Sequence, residues 1–457
     1  MMGVFSPFSR KIVYRQAVNA VNWADVAGKV YLKIRPAESN WEAMYRMGYG
    51  ANSRSLWDAR LQEISVDSFL GGFQMEVPWG LYEKGAGGGD FSNLDYLVNA
   101  LDDCHSIGKK VILVPFLFRE FRNPNVSNLP LIEQYKYILP QDLNGYPFVD
   151  GNANGLRGFA PGMAAGFEHY LNDNAYAYSK SLVAGGFGYN LKTYKSSVRN
   201  RMIAFAQAVA NRVGNHPAVF AINTTESAIS SNAMYTGQYG FQPTEVAAAS
   251  TADLEILTLQ GKATILNACR TKFSNLIMGQ DMNIPKSPYN YLSAWHAGLV
   301  ENKYCLRTSN SNWWNGNINE IGSANNPKGI LYYYPDFTGV CPKIVDMQGD
   351  EVASGGSLNA PIMDTTAKIT QRYADIYRRA TIGGVLSDGV TNPVALGAHI
   401  LVVQREHPHP FWLGGTSNPG TTIPSGIAVP SWRDWLVNTA DRNWLVTTRP
   451  SYVTYNN

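Results

Sequence analysis

The chain has 457 residues, 45% of them hydrophobic and only 16% charged, with a formal net charge of +3. That balance describes a globular protein with a sizeable core and excludes an intrinsically disordered chain. So small a charge over this length leaves no electrostatic footprint for nucleic acid or an anionic membrane as partner.

Strand-like and helix-like segments alternate along most of the sequence, the signature of βαβ units and a parallel sheet. The first strand is predicted at Lys29–Arg35, followed by helical sequence from Trp41 to Ile64. The second runs from Leu70 to Val77 and ends at Pro78-Trp79. A glycine-rich loop at 85–89 leads to a helix over Leu94–Ile107, which Gly108 closes, and to a third strand at Lys110–Leu117. The rhythm then breaks. Residues 122–198 are rich in Asn, Gly, Tyr and Pro and predict an insertion after the third strand that walls one end of the domain. A helix over Val198–Val213 and a fourth strand at Ala218–Thr224 restore the pattern. A helix over Leu254–Phe273 and a fifth strand at Asn275–Gly279 follow, then a short helix near Leu292–Leu299 and a sixth strand at Tyr304–Thr308. The seventh strand is predicted at Pro342–Asp346 with its helix at Ala367–Ala380, and the eighth at Ala398–Gln404. Eight strands with interleaved helices predict an α/β fold, a single (β/α)8 TIM barrel spanning 1–457. The extension 413–457 is expected to pack on its outside, its tail from Ser431 closing the bottom.

Cys104, Cys269, Cys305 and Cys341 show no CxxC or Cys/His ligand spacing, so they read as buried free thiols and not as a zinc site or disulfide framework. The stretch Glu406-His407-Pro408-His409 is too stiff for a convincing metal site, and no metal is expected. The glycine-rich loop lacks the Lys-Ser/Thr of a P-loop, and there is no Gly-x-Ser-x-Gly elbow. The first eleven residues contain no apolar h-region, and no later run is long enough to span a bilayer. The expectation is a cytoplasmic protein, or a virion-associated one released by lysis.

In a parallel barrel, chemistry gathers where the strands end, so the residues at those ends are the site candidates. Glu226 follows the fourth strand in His216-Pro217-Ala218-Val219-Phe220-Ala221-Ile222-Asn223-Thr224-Thr225-Glu226. A partly desolvated Glu there can act as a general acid, as glycosidic bond cleavage requires. Arg35, Arg119, Glu120, Gln280 and Asn310 lie at other strand ends and can hydrogen-bond hydroxyls. Trp79 and the pair Trp313-Trp314 are candidate stacking platforms. With 11 Trp, 26 Tyr and 18 Phe the chain has aromatic rings to spare for sugar faces, or for a large core.

The segment His216–Glu226 resembles the fourth-strand signature of clan A glycoside hydrolases, retaining (β/α)8 enzymes that include many cellulases and β-galactosidases. In that pattern an Asn/His-Pro-x-Val opening leads into a strand ending Asn-Glu, and Pro217, Val219 and Glu226 match it. The resemblance implies that Glu226 is the acid/base and that a nucleophilic carboxylate ends the seventh strand. Strand length places Asp346 at that tip, whereas the family's residue type points to Glu351. A retaining pair sits about 5 Å apart, so only one of them can partner Glu226. The resemblance also implies that Trp412, after the eighth strand, forms the floor of the sugar subsite. Thr225 departs from the pattern, standing where the family's Asn holds the sugar 2-hydroxyl.

These residues together predict a glycoside hydrolase acting on an oligo- or polysaccharide by a retaining two-carboxylate mechanism, with no cofactor. The long insertion suits an extended cleft and endo action. The rival is a barrel that binds carbohydrate without cleaving it, such as a virus-particle component that recognises host surface glycans. A third, weaker alternative is a lyase, which would need a Tyr, His or Lys base at the mouth.

Overall fold

The computed structural model describes residues 22–48, 54–84, 89–115, 140, 196–224, 251–273, 276–281, 305–308, 334–347, 352, 362–385, 391–392, 396–405, 409–418 and 423–450. Eight parallel strands close into a barrel: β1 (Lys29–Lys33), β2 (Leu70–Glu76), β3 (Lys110–Val114), β4 (Val219–Thr224), β5 (Ile277–Asp281), β6 (Cys305–Thr308), β7 (Lys343–Met347) and β8 (Ile400–Gln404). Their order around the barrel is β1-β8-β7-β6-β5-β4-β3-β2, so each strand lies beside its sequence neighbours and β8 returns to β1. This is the (β/α)8 architecture.

The strands are apolar on both sides because both sides are covered. Outward residues such as Val30, Leu32, Phe73, Met75, Leu113, Val345, Leu401 and Val403 join one cluster with Trp57, Leu101, Phe205, Val209, Ile369 and Ile376 of the surrounding helices. Inward residues Tyr31, Ile112, Phe220, Ile277, Ile344, Ile400 and Val402 form a second cluster inside the barrel. Two glycines of β2 make this possible. A Cβ on Gly71 would sit 2.7 Å from the Tyr31 ring, and one on Gly72, whose φ is +150°, would sit 1.8 Å from the Lys110 carbonyl oxygen.

The floor is built from both ends of the described chain. Helix α1 (Trp23–Val26) supplies Trp23 and Val26 to the inner cluster. The Tyr31 hydroxyl donates to the Val26 carbonyl at 3.3 Å, and the Trp23 indole N–H donates to the Thr447 carbonyl at 2.9 Å. Val446 N–H donates to the Ala398 carbonyl at 2.9 Å. Further out, α9 (Thr366–Ala380) docks the C-terminal segment: Tyr373 stacks on Trp432 of α10 (Trp432–Asn438) with centroids 5.0 Å apart, and Tyr377 stacks on Trp444 at 6.1 Å.

The helical stretch predicted over Trp41–Ile64 is two helices, α3 (Trp41–Arg46) and α4 (Arg54–Ser65), the first closed by Gly48 at φ +78°. Arg35 lies outside β1. It is the N-cap of a one-turn helix, α2 (Pro36–Ser39), which Pro36 opens in its first turn. The insertion 122–198 lies outside the described residues except at 140 and 196–198, where α7 (Ser196–Val213) already begins. Cys104 and Cys269 are free and buried, and Cys341 is buried as well.

Two basic groups are buried at the floor. The His399 ring accepts from the Lys343 N–H through Nδ1 at 3.1 Å and lies edge-on to Trp23, with Thr448 backbone at its other side. Burial first, then the Lys343 charge, lowers its pKa to about 4. Burial likewise lowers Lys343 to about 8, its ammonium donating to Thr338 Oγ1 at 3.0 Å. In both cases the unfolded chain binds more protons, so stability rises with pH across the gap: from about 4 to 6.5 for His399 and from about 8 to 10.5 for Lys343. Each gap corresponds to about 3 kcal/mol at one unit per 1.4 kcal/mol. Lys343→Met is therefore expected to raise stability at pH 7 by about 1–3 kcal/mol and to flatten the rise above pH 8. Urea midpoints measured from pH 4 to 10, with His399→Gln as the second variant, check both windows.

Candidate active site

Toward the C-terminal ends of the strands the barrel lining turns polar. Side chains alternate along a strand, so a residue two past an inward one faces inward as well. Lys33 follows Tyr31 in this way, Gln74 and Glu76 follow Gly72, Asp346 follows Ile344 and Gln404 follows Val402. The register puts Gln404 beside Lys33, and Lys33 beside Gln74. Asp346 pairs with Val402, one inward step below Gln404. With neighbouring strands about 4.8 Å apart, these residues form a continuous polar arc across β7, β8, β1 and β2. Lys33 Nζ lies 3.7 Å from Glu76 Oε1, and both side chains are partly exposed, at 26% and 17%. Asp346 is 0% exposed and Gln74 1%.

Across the barrel, Asn223 on β4 is also fully buried. Its side chain lies over Gly279 of β5, where a Cβ would come within 2.4 Å of Asn223 Oδ1. Only glycine at 279 leaves room for that amide. Thr224, the last residue of β4, turns its hydroxyl to the Gly279 carbonyl at 3.2 Å.

The rim beside β1 and β8 is a buried ionic lattice. Arg60 on α4 donates from Nε to Glu38 Oε1 at 2.9 Å and also pairs with Glu63. Arg405, just past β8, grips Glu63 with two bonds of 2.9 Å. The Trp412 indole N–H donates to the same carboxylate at 3.1 Å. Glu38 in turn accepts from the Arg35 backbone N–H at 3.3 Å, the carboxylate half of a capping box on α2. Burial holds the Arg35 guanidinium down near pKa 10; Arg405 and Arg60 push the same way, and Glu38 opposes them.

Beside β2, Asn40 donates to the Glu76 carbonyl at 2.8 Å and accepts from the Tyr82 hydroxyl. Glu83, 1% exposed, collects the Trp79 indole N–H, Arg201 Nε at 2.8 Å and Gly89 N–H at 2.8 Å. Glu83 thus ties the end of β2, the loop after it and α7 together.

The structure therefore brings Asp346 and Arg35 to the mouth region, and packs Trp79 and Trp412 behind its rim, in the core between strands and helices. Both tryptophans are 2% exposed, each with its indole N–H held by a buried carboxylate. Glu226, Glu351, Arg119, Glu120, Asn310, Trp313 and Trp314 lie outside the described residues, as does the side chain of Gln280. Sequence reasoning missed Lys33, Gln74, Glu76, Asn223 and Gln404. Part of their signal was available, since the inward face of β8 goes from Ile400 and Val402 to Gln404 and that of β1 from Tyr31 to Lys33, although Lys29 makes the start of β1 polar as well. Among the described residues there is no group of three or more His, Cys, Asp or Glu side chains that could hold a metal ion, and no helix long and apolar enough to cross a membrane.

No family model matches the sequence, and no curated protein matches it. Solved structures that resemble the chain, all distantly, include several glycoside hydrolases. One is β-galactosidase from the psychrophilic Marinomonas ef1, at 10% identity and a TM-score of 0.39; it aligns with 84% of this chain, which spans only 55% of its length. Another is the catalytic domain of β-amylase from Paenibacillus polymyxa, at 10% identity and a TM-score of 0.41, covering 83% of this chain and 92% of that one. A third is endo-glycoceramidase II from Rhodococcus sp., at 12% identity and a TM-score of 0.40, covering 89% and 78%.

Proposed function

We propose that the barrel is a glycoside hydrolase that cleaves an oligo- or polysaccharide by a retaining mechanism. The observation that carries this reading is Asp346, a carboxylate on the inward face of β7 that joins the polar arc of Gln404, Lys33 and Gln74. Glu226 follows β4 by two residues, so carboxylates belong to strands on either side of the β5–β6 pair. In this reading Glu226 protonates the leaving oxygen while Asp346 or Glu351 attacks the anomeric carbon, and Glu226 then activates water. Arg35, Arg119, Glu120 and Asn310 bind hydroxyls, and Trp313 and Trp314 stack on sugar rings. Trp79 and Trp412 support the walls of the same cleft from behind.

The test is a panel of aryl glycosides and oligosaccharides, with the anomeric configuration of the first-formed product followed by proton NMR. Turnover with retained configuration supports the reading, and inversion or no turnover rejects it. One observation favours a second reading, a barrel that binds glycans without cleaving them: Asp346, the described candidate for the nucleophile, is fully enclosed. Binding of a panel glycan with no release of product distinguishes that outcome.

A further inference from the structure

We infer that Gln74 is a specificity-determining residue whose side-chain oxygen accepts a hydrogen bond from a hydroxyl of the sugar bound in the barrel; this rests on the reading just given. Gln74 is 1% exposed on the inward face of β2, and its Oε1 has no hydrogen-bond partner among the described residues. Its neighbours in register explain why. Ile112 on β3 offers no donor, and Lys33 on β1 directs its ammonium toward Glu76 at 3.7 Å. A residue serving only the core at this position would be apolar, because a buried carboxamide oxygen left without a donor is destabilising. The donor it lacks must enter from outside the strands. Lys33 and Glu76, immediately beside it, are partly exposed, so the mouth reaches this depth.

A sugar hydroxyl meets the requirement: it is a small donor, carried on a ring whose apolar face suits Ile112 alongside and Tyr31 and Phe220 beneath. The class of ligand is therefore a glycan with a free hydroxyl on the sugar seated deepest. The matching deoxy or O-methyl sugar would leave Gln74 unserved, and buried polar sites discriminate strongly against ligands that lack the group they bind.

The experiment uses the full chain and 4-methylumbelliferyl glycosides together with their deoxy and O-methyl derivatives. Gln74→Met, close in volume, is expected to lower kcat/KM at least tenfold on the glycoside that the wild type prefers. The same variant should largely lose the preference for the free hydroxyl over the deoxy sugar, and its thermal midpoint should stay level or rise. Gln74→Glu keeps an acceptor and should retain more of that preference than Met. If Gln74→Met matches the wild type within twofold and keeps its hydroxyl preference, the oxygen has a purely structural role and the inference falls while the hydrolase reading stands. If the wild type neither cleaves nor binds any of the probes, both fall. Should Gln74→Met fail to fold, the Glu variant alone decides, an unchanged deoxy discrimination supporting the inference and its loss overturning it.

Discussion

Glu226→Gln is expected to lower kcat on any glycan the wild type cleaves by about 10²–10⁴-fold, the usual contribution of a positioned general acid. The amide keeps the shape and hydrogen-bonding reach of the side chain but has no proton to give the departing oxygen. The size of the loss should therefore depend on the leaving group. A dinitrophenolate departs without protonation, so cleavage of dinitrophenyl glycosides should be slowed far less in its first step than cleavage of an oligosaccharide. A uniform loss across leaving groups would mean that Glu226 holds the substrate and does not protonate it. Asp346→Asn and Glu351→Gln, measured alongside, separate the two candidate nucleophiles. The true one should abolish turnover of every glycoside, including activated ones, and the other should stay within about tenfold of the wild type at 1.4 kcal/mol per decade.

The second large effect concerns stability. Glu63→Gln removes one negative charge from the lattice that joins Arg60, Arg405 and Trp412. Glu63 is 7% exposed and Arg60 6%, so Arg60 cannot recover its hydration without opening the rim, whereas the Arg405 side chain, at 19%, keeps part of it. Breaking a buried pair from one side typically costs about 3–5 kcal/mol, because it strands the other charge. The urea midpoint should fall accordingly. Replacing Glu63 and Arg405 together with apolar residues of similar size should recover part of the loss. A double replacement that is worse than the single one by a further several kcal/mol would mean that Arg405 stabilises the rim through contacts other than Glu63.

How much of this was legible depended on distance along the chain. The eight strands fall within a few residues of their predicted places, because a buried parallel strand announces itself as a short run such as Lys110-Val111-Ile112-Leu113-Val114. The helix stop at Gly48 carried a local signal that was overlooked, as did Pro36, which turns Arg35 from a strand end into a helix cap. The rim lattice carried no such signal. Nothing near Glu63 indicates that Arg405 and Trp412 will converge on it from the other end of the sequence. For the same reason the bond from the Trp412 indole N–H to Glu63 could not be read in advance, when the clan A resemblance made this residue the floor of a sugar subsite. The inward polar arc lies between these cases. Its members are spaced by two along strands that were correctly placed, but which alternate face looks inward is decided only when the barrel closes.

The return of β8 to β1 has a consequence for how the protein is made. Lys29 to Lys33 emerge from the ribosome ahead of the other seven strands and gain β2 as a partner soon afterwards, but their other edge waits for Ile400 to Gln404. At about 5–20 residues per second that interval is roughly 20–70 s. Throughout it, the unpaired backbone of β1 and the apolar side chains Val30 and Leu32 are open to wrong partners, as any unprotected strand edge is. Trp23 waits longer still, since its hydrogen-bond acceptor is the carbonyl of Thr447. The barrel is thus sealed only once the segment from Ile400 to Thr447 has been made, and until then its first strand depends on a shielding that the finished molecule no longer needs.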